Sequence, residues 1–314
     1  METMSAPLVS IVILNYKRLS ALEQTLQSVV AQQYSRKEVI VVDNHSEENV
    51  ATVVHKFGPE IQLIELDANL GACAGRNAGI RAARGEFLIT LDNDVSFLSP
   101  DAVDRAVHLF EEHPDYHVLA FQLRDAQTGQ LRVREWCHPK DWRQFSGVQF
   151  PTHFFVEGAA AYRRVVFEDA GLYFEPLFIY HEGWDLGLRI LDKGYRILYT
   201  PDIQVRHLMS PEGRSHSRPY FLFTRNYIWV AYRDYPFWSG LCFVSFRLAM
   251  MAYFALRKGH LSTFMKGVWQ GLCGCRHIKR APVHQRTIDY VNSLESDRPN
   301  IFVRYARHRT APQL

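Results

Sequence analysis

The chain has 314 residues, enough for one large domain or two ordinary ones, and its 47% hydrophobic and 22% charged content is typical of a globular protein. Its 36 Lys and Arg against 33 Asp and Glu leave a formal net charge of +3, which argues against a dedicated nucleic-acid binder. The five scattered cysteines predict free thiols in a reducing cytoplasm rather than a disulfide framework.

Short apolar runs alternate with helical patterns along the first two thirds of the chain, which predicts an α/β fold with a mostly parallel sheet flanked by helices. The first run, 8–14, is too short for a signal peptide and is predicted to be a buried strand. Further strands are predicted at 37–42, 61–66, 86–91, 117–123 and 195–200. Helices are predicted after a capping box of Ser20 and Glu23, over 75–84, after Ser99 and Pro100, and around Trp184.

Each of the first four predicted strands ends in polar residues. In open α/β sheets ligands bind outside the carboxyl ends of the strands, so these ends are expected to converge on one crevice. The residues at these ends are Asn15, Tyr16, Asp43, Asn44, Asp67, Ala68, Asn69, Asp92, Asn93 and Asp94.

Asp92 and Asp94 carry the strongest chemical signal in the chain. Two carboxylates two positions apart, where an apolar strand ends, can reach one hard cation such as Mg²⁺ or Mn²⁺. Such an ion would neutralise a diphosphate leaving group. The same pair taken alone is also common in turns, so the rest of the chain must decide between the two interpretations.

Two further segments suit a nucleotide. Asp43 can accept a hydrogen bond from a base imide N–H, or it can start an Asx turn. The small residues of 69–79 form a loop that runs into a helix and allows the backbone to approach a nucleotide closely, with Arg76 directed at the anion or the base. This loop lacks the Gly-Lys-Ser/Thr ending of a phosphate-binding P-loop.

The order of these motifs resembles the family 2 glycosyltransferases, which have the GT-A fold. The matching blocks, over roughly 8–230, are SIVILNY, VVDNHS, NLGACAGRNAG, LDND and HEGWDLGLR. Within the family the chain is most similar to bacterial, often rhamnosyltransferase-like enzymes that build surface polysaccharides and glycolipids. The resemblance implies inverting transfer of a sugar from a UDP-, dTDP- or GDP-linked donor to a hydroxyl of a glycan or lipid-linked acceptor.

The resemblance also assigns roles to individual residues. Asp43 and Arg76 would contact the base, and Asp92 the ribose or the metal. The predicted nucleotide contacts as a set are Asn15, Tyr16, Asp43, Asn69, Arg76, Asp92 and Asn93. The implied ligands of a Mg²⁺ or Mn²⁺ ion are Asp92, Asp94 and His207. The predicted neighbours of the sugars are Gly158 and Ala159, ahead of a predicted helix, and Trp184, whose ring either stacks on a sugar or belongs to the core.

The acidic block departs from the family pattern. Inverting transfer needs a base that removes the proton of the acceptor hydroxyl, and the family places it in a Glu-Asp-x-Asp block. Here Gly183 stands where an acidic residue is usual. The predicted base is therefore Glu182, with Asp185 as the alternative, although Arg189 can pair with Asp185 on the helix. The departure leaves open a degenerate family member that binds nucleotide or glycan without catalysis, and a nucleotidyltransferase is the third hypothesis.

The predicted domains are a GT-A catalytic domain at 1–218, with nucleotide-sugar binding at about 1–124 and the acceptor side at about 125–218, and a helical, aromatic and basic region at 219–314. The stretch 237–256 approaches membrane length but carries Arg247 near its middle. Aromatic and basic residues together suit the inner face of a membrane, and a buried helical subdomain explains them equally well.

Overall fold

The computed structural model describes residues 6–208 and 217–295. Its strands are β1 (Val9–Asn15), β2 (Lys37–Asp43), β3 (Gln62–Glu65), β4 (Phe87–Asp92), β5 (Val95–Phe97), β6 (Tyr116–Asp125), β7 (Phe150–Thr152), β8 (Ala159–Arg163) and β9 (Arg196–His207). Its α-helices are α1 (Leu19–Val30), α2 (Val50–Val54), α3 (Gly71–Ala82), α4 (Ala102–Glu112), α5 (Trp142–Phe145), α6 (Val165–Asp169), α7 (Glu182–Asp192), α8 (Arg218–Asp234), α9 (Phe237–Arg257), α10 (Leu261–Gly274) and α11 (Gln285–Glu295).

The strands form one mixed sheet in the order β3-β2-β1-β4-β8-β6-β9-β5, with β7 paired to β9. The first four strands pair in parallel, as predicted. In contrast, β8 is antiparallel to both β4 and β6. The α/β class is confirmed, but the sheet is parallel only in its first half and mixed in its second.

The alternation of side chains along β1 divides the core into two layers. Ile11 and Ile13 pack in the layer that includes Leu22 of α1, whereas Val12 packs in the layer that includes Ile80 of α3. All seven residues of β1 are buried, so helices cover this central strand on both faces. Because β1, β2 and β4 run in parallel, their carboxyl ends meet at one edge of the sheet.

One local prediction is wrong, and another is displaced. Ser20 is not a helix cap, because α1 already begins at Leu19, and Arg18 precedes it in a left-handed conformation with φ 62° and no capping side chain. The helix predicted after Gly158 and Ala159 is the short α6, which begins only at Val165 because the strand β8 comes first. This strand pairs with neighbours on both sides, and Ala159 is fully buried within it.

The C-terminal part of the described chain is helical, as predicted. α8 starts at Arg218 and, with α11, contributes Ile228 and Val291 to the second core layer. α9 is, among the described helices, the one long and apolar enough to cross a membrane by length and composition, and only 11% of its most apolar stretch is buried. Residues 296–314 of the predicted helical region lie outside the described residues.

Candidate active site

Asn15, Asp43 and Asn93 form a buried hydrogen-bond network at the carboxyl ends of β1, β2 and β4. The parallel register places Asn15 beside Asp43, and Leu14 beside Asp92. Asn15 Nδ2 donates to Asp43 Oδ1 over 2.8 Å, and Asn93 Nδ2 donates to Asn15 Oδ1 over 2.8 Å. The strand ends therefore converge, and the buried side chains of Asn15 and Asn93 connect them through hydrogen bonds.

Asp43 is held by its own turn as well as by Asn15. It accepts a hydrogen bond from the backbone N–H of Ser46 over 3.0 Å and another from the Ser46 hydroxyl. This is the Asx-type turn that the sequence leaves open, so a contact with a nucleotide base would be made by a carboxylate already oriented. Tyr16, just beyond β1, is partly exposed, with the Lys17 ammonium 5.3 Å from its ring centre.

Asn69 organises the small-residue loop before α3. Its Oδ1 accepts hydrogen bonds from the N–H of Gly71 over 3.0 Å and from Asn44 Nδ2 over 3.1 Å. Gly71 has φ +89°, and a Cβ there would lie 2.5 Å from the carbonyl oxygen of Phe178, so the position requires glycine. The helix consequently begins at Gly71, earlier than the predicted Gly75.

Arg76 lies in the interior between two carboxylates. Its Nη2 is 2.6 Å from Asp92 Oδ1, its Nη1 is 3.2 Å from Glu182 Oε1, and its side chain is only 4% exposed. In this arrangement Arg76 ties the end of β4 to the start of α7. Its contact with a nucleotide base stays a prediction.

Gly158 is required by the position of Asp92. A Cβ at Gly158 would lie 2.3 Å from Asp92 Cγ, and the carbonyl oxygen of Gly158 accepts a hydrogen bond from the Asp92 N–H over 3.2 Å. The side chain of Asp92 remains 33% exposed. Ala159 is fully buried within β8, so the structure gives it a packing position.

The pairing of β5 with β9 brings His207 to Asp94, because Val95 lies opposite His207. His207 Nε2 is 3.4 Å from Asp94 Oδ1, and its Nδ1 is 2.7 Å from Glu135 Oε2. Burial lowers the pKa of His207, but the hydrogen bonds with Asp94 and Glu135 outweigh it and raise this pKa to about 9. Asp94 Oδ2 is also 2.7 Å from Arg18 Nη1.

The predicted metal ligands suit an ion that shares its coordination with a substrate. Within 6–208 and 217–295, no group of three or more His, Cys, Asp or Glu side chains is placed to hold a metal alone. Asp94 and His207 nevertheless bring a carboxylate and an imidazole together, next to Asp92 in the chain. Mg²⁺ and Mn²⁺ accept such a partial set when phosphate oxygens complete the coordination, so these residues fit the ion.

The two acidic residues in the first turn of α7 differ in environment. Asp185 is fully buried, with Oδ2 2.5 Å from Arg189 Nη2 and Oδ1 paired with Arg233. Glu182 is 3% exposed and meets Arg76 through Oε1, while its Oε2 has no hydrogen-bond partner among the residues described. Burial raises the pKa of Glu182, opposed by the charge of Arg76. Asp185 is thus the more fully neutralised of the two.

Two carboxylates of the site are not singled out by the sequence pattern. Glu135 contacts His207, and Glu157 accepts a hydrogen bond from the N–H of Gly183 in the first turn of α7. Burial, followed by the charge of Glu182, raises the pKa of Glu157 to about 8. Their partners lie 72 and 26 residues away along the chain, so no local spacing marks either residue.

Trp184 joins α7 to α9. Its Nε1 donates to the hydroxyl of Tyr235 over 2.9 Å, and its ring packs against Phe243. The guanidinium carbon of Arg247 lies 5.2 Å from the ring centre. These contacts give Trp184 a packing position, and stacking on a sugar stays a prediction.

A comparison with protein families identifies the family of the chain. The sequence model described as Glycosyl transferase family 2 matches residues 10–171, just over half of the chain. The chain belongs to this family. The predicted enzyme class is confirmed, and the carboxylates at the sheet edge lie in a glycosyltransferase.

Relatives of this glycosyltransferase occur in bacteria. It is 28% identical over 215 residues to the uncharacterized glycosyltransferase YwdF of Bacillus subtilis (strain 168), covering 67% of this chain and 77% of that one. It is 25% identical over 284 residues to the O-antigen chain rhamnosyltransferase WbaN of Salmonella anatum, covering 82% and 89%. The chain spans less than two fifths of the length of several other relatives.

The fold is similar to that of a solved glycosyltransferase. The mannosyltransferase PcManGT from Pyrobaculum calidifontis, in complex with GDP-Man and Mn²⁺, superposes with a TM-score of 0.59 over 86% of this chain and 88% of that one. The two sequences are 17% identical. This likeness confirms the predicted GT-A fold.

Proposed function

We propose that this glycosyltransferase moves a sugar from a nucleoside-diphosphate sugar to a hydroxyl acceptor with inversion at the anomeric carbon. The observation that carries the proposal is the alignment of Asp43, Asp92 and the Asp94–His207 pair along one carboxyl edge of the sheet. Ligands of open α/β sheets lie along that edge. A nucleotide base near Asp43 would leave its diphosphate near Asp94.

The relatives support the proposed classes of donor and acceptor. PcManGT is solved with GDP-Man and Mn²⁺, and WbaN is named for rhamnosyl transfer to O-antigen chains. We infer a UDP-, dTDP- or GDP-linked donor and an acceptor that is a glycan or a lipid-linked sugar of a surface polysaccharide.

A Mg²⁺ or Mn²⁺ ion would supply charge to offset the negative charge of the leaving diphosphate. Asp94 and His207 would hold the ion, and Asp92 would contact the ion or the ribose. Glu135, hydrogen-bonded to His207 Nδ1, would fix the ring so that Nε2 faces the ion. Arg76 orients the Asp92 carboxylate through the ion pair between Nη2 and Oδ1.

The base must lie across the donor sugar from the diphosphate, and we place it among the carboxylates around the first turn of α7. Of the two residues that the sequence predicts within α7, Glu182 is the better candidate. Asp185 is fully buried and engaged by two arginines, so it is unsuited to receive a proton from an acceptor.

A turnover assay distinguishes a glycosyltransferase from a protein that only binds nucleotide or glycan. The second role is suggested by Gly183, which stands where the family has an acidic residue. The protein is incubated with UDP-glucose, GDP-mannose or dTDP-rhamnose, Mn²⁺ and a bacterial surface-polysaccharide and glycolipid extract as acceptor, and the release of nucleoside diphosphate is measured. We expect release from one donor, slowed at least ~100-fold by Asp92→Asn. The half-exposed Asp104 of α4 gives a matched control, Asp104→Asn, with unchanged release.

Two other results would point elsewhere. Pyrophosphate as the product would identify a nucleotidyltransferase. Nucleotide binding without any release from the three donors would identify a binding protein.

We also propose that α9 and α10 lie on the inner face of an anionic membrane. The exposed apolar residues of α10 recur three or four positions apart, and together with those of α9 they form one membrane face. This face consists of Phe237, Trp238, Leu241, Phe246, Tyr253 and Leu256 of α9 and Leu261, Met265, Trp269 and Leu272 of α10. Trp238 and Trp269 are 74% and 73% exposed, as suits rings at headgroup level.

Charge and packing support contact with the membrane rather than crossing. The stretch 235–288 contains eight Lys and Arg and no Asp or Glu, which suits anionic headgroups. The other side of α9 packs against α8 and α7. A Cβ at Gly240 would lie 2.8 Å from the carbonyl oxygen of Ala231 in α8, and the guanidinium carbon of Arg247 lies 5.2 Å from the ring centre of Trp184 in α7.

Vesicle flotation tests the membrane face. We expect the protein to float with phosphatidylglycerol vesicles and not with phosphatidylcholine vesicles, and to lose binding at least ~10-fold in Trp238→Ser/Trp269→Ser because the buried apolar area is lost. Val148, exposed outside this face, provides the control Val148→Ser. Failure to float, together with a dimer in sedimentation, would make the face an interface between two copies.

A further inference from the structure

The space in front of Gly183 is filled by a carboxylate from a distant segment. A Cβ at Gly183 would lie 2.2 Å from Glu157 Oε1 and 2.8 Å from Glu157 Cδ. Glu157 precedes β8, and its carboxylate accepts the hydrogen bond of the Gly183 N–H. Position 183 therefore lacks a side chain because Glu157 already occupies the place to which one would extend.

We propose that Glu157 is a catalytic residue, the carboxylate that receives the proton of the acceptor hydroxyl, with Glu182 as its buried neighbour. This inference rests on the proposed function. The acceptor O–H bond breaks and its proton passes to Glu157. The oxygen forms the new bond to the anomeric carbon, while the bond from that carbon to the diphosphate breaks and its electron pair leaves with the diphosphate.

Pairing and orientation distinguish Glu157 from Glu182. Both carboxylates are buried, but Glu182 is tied to the Arg76 guanidinium through Oε1, whereas Glu157 accepts its hydrogen bond from the uncharged backbone N–H of Gly183. This hydrogen bond fixes the direction of the Glu157 carboxylate. Glu157 is therefore the carboxylate that is less engaged by a cation and more able to receive a proton.

The charge balance around Arg76 suits a group that exchanges a proton. The buried carboxylates of Glu157 and Glu182 share the one guanidinium of Arg76, which also pairs with Asp92, so Glu157 and Glu182 do not both ionise readily. The raised pKa of Glu157, about 8, keeps it near the range in which a base both accepts and releases a proton. The titratable groups that face Glu157 are Cys73, Arg76, Tyr162, Tyr173 and Glu182.

Glu157→Gln tests the proposal, because the amide oxygen still accepts from the Gly183 N–H while the base is removed. With the donor that the wild type turns over among UDP-glucose, GDP-mannose and dTDP-rhamnose, we expect kcat for nucleoside diphosphate release to fall at least ~100-fold. Nucleotide affinity and Tm should not change. The wild-type rate should fall as pH drops below about 8, since protonation removes the base, and the variant should lose this dependence.

If Glu157→Gln folds poorly, a second pair of variants, in which the carboxylate is moved from position 157 to position 183, tests the same proposal. Glu157→Ala should be inactive, and Glu157→Ala/Gly183→Asp should regain part of the lost rate because it restores a carboxylate in the same space. The Phe155 carbonyl oxygen, 2.9 Å from a Cβ at Gly183, must shift by a few tenths of an ångström.

Two outcomes would overturn the proposal while leaving the proposed function intact. One is a folded Glu157→Gln that releases nucleoside diphosphate within about threefold of the wild-type rate, which would make Glu157 only a cap of α7. The other is an exchange variant no more active than Glu157→Ala. A wild type that binds nucleotide but turns over none of the three donors would instead refute the proposed function.

Discussion

Asp92 is the residue on which the geometry of the site depends most. Its carboxylate is held by Arg76, its N–H by the carbonyl of Gly158, and its side chain lies directly against the Cα of that glycine. Arg76 and Gly158 both lie outside β4. A methyl group added at Gly158 would therefore disturb the donor site without removing a predicted metal ligand.

We predict that Gly158→Ala weakens metal-dependent nucleotide binding at least ~10-fold and lowers the free energy of unfolding by about 1–3 kcal/mol, because the new methyl displaces the carboxylate of Asp92 from Arg76. Calorimetry and urea denaturation measure the two effects. Gly147→Ala is the control, since no atom lies within 4 Å of a Cβ there. Equal affinity in the two variants would show that the position of Asp92 does not matter for binding.

At the scale of elements, α10 joins the enzyme through a glycine face. A Cβ at Gly267 would lie 2.7 Å from the carbonyl oxygen of Phe221 in α8, and a Cβ at Gly271 would lie 2.6 Å from Ile228 Cδ1. The two helices can approach closely only because these positions lack side chains. The face of α10 away from α8 carries the apolar residues proposed to meet the membrane.

Gly267→Ala should therefore destabilise the docking of α10, because the obstructing atom belongs to the backbone of α8. We expect a loss of about 1–3 kcal/mol in urea denaturation, with weaker vesicle binding and little change in nucleotide affinity. The exposed Gln270 of the same helix offers the control Gln270→Ala. Unchanged stability in Gly267→Ala would mean that α10 packs against α8 less closely than the structure shows.

At the scale of the whole molecule, the sequence predicts the elements better than their contacts. Buried strands and the polar residues that follow them are neighbours in the chain, so β1, β2 and β4 and their ends are readable locally. The Asp94–His207 approach depends on the pairing of β5 with β9, which local periodicity does not show. Family resemblance, rather than spacing, pointed to His207.

Contacts between distant segments account for what the sequence misses. The sequence does not show the strand β8 ahead of the predicted helix, because the pairing of β8 with β4 and β6 is decided elsewhere in the chain. The role of Glu157 cannot be predicted from the sequence for the same reason, since its partner Gly183 lies 26 residues away. The acidic side chain that is missing at position 183 is replaced by the carboxylate of Glu157, which reaches the same place from a distant segment.

The central claim is that the carboxyl edge of the sheet binds a nucleoside diphosphate through a metal held by Asp94. Calorimetric titration of the wild type with UDP, GDP and dTDP, with and without Mn²⁺, tests it most directly, with Asp94→Ala as the variant and Asp104→Ala as the control. We predict that one nucleotide binds in a Mn²⁺-dependent manner and that Asp94→Ala abolishes this binding while Asp104→Ala does not. Folded wild-type protein that binds none of the three in either condition would contradict the claim.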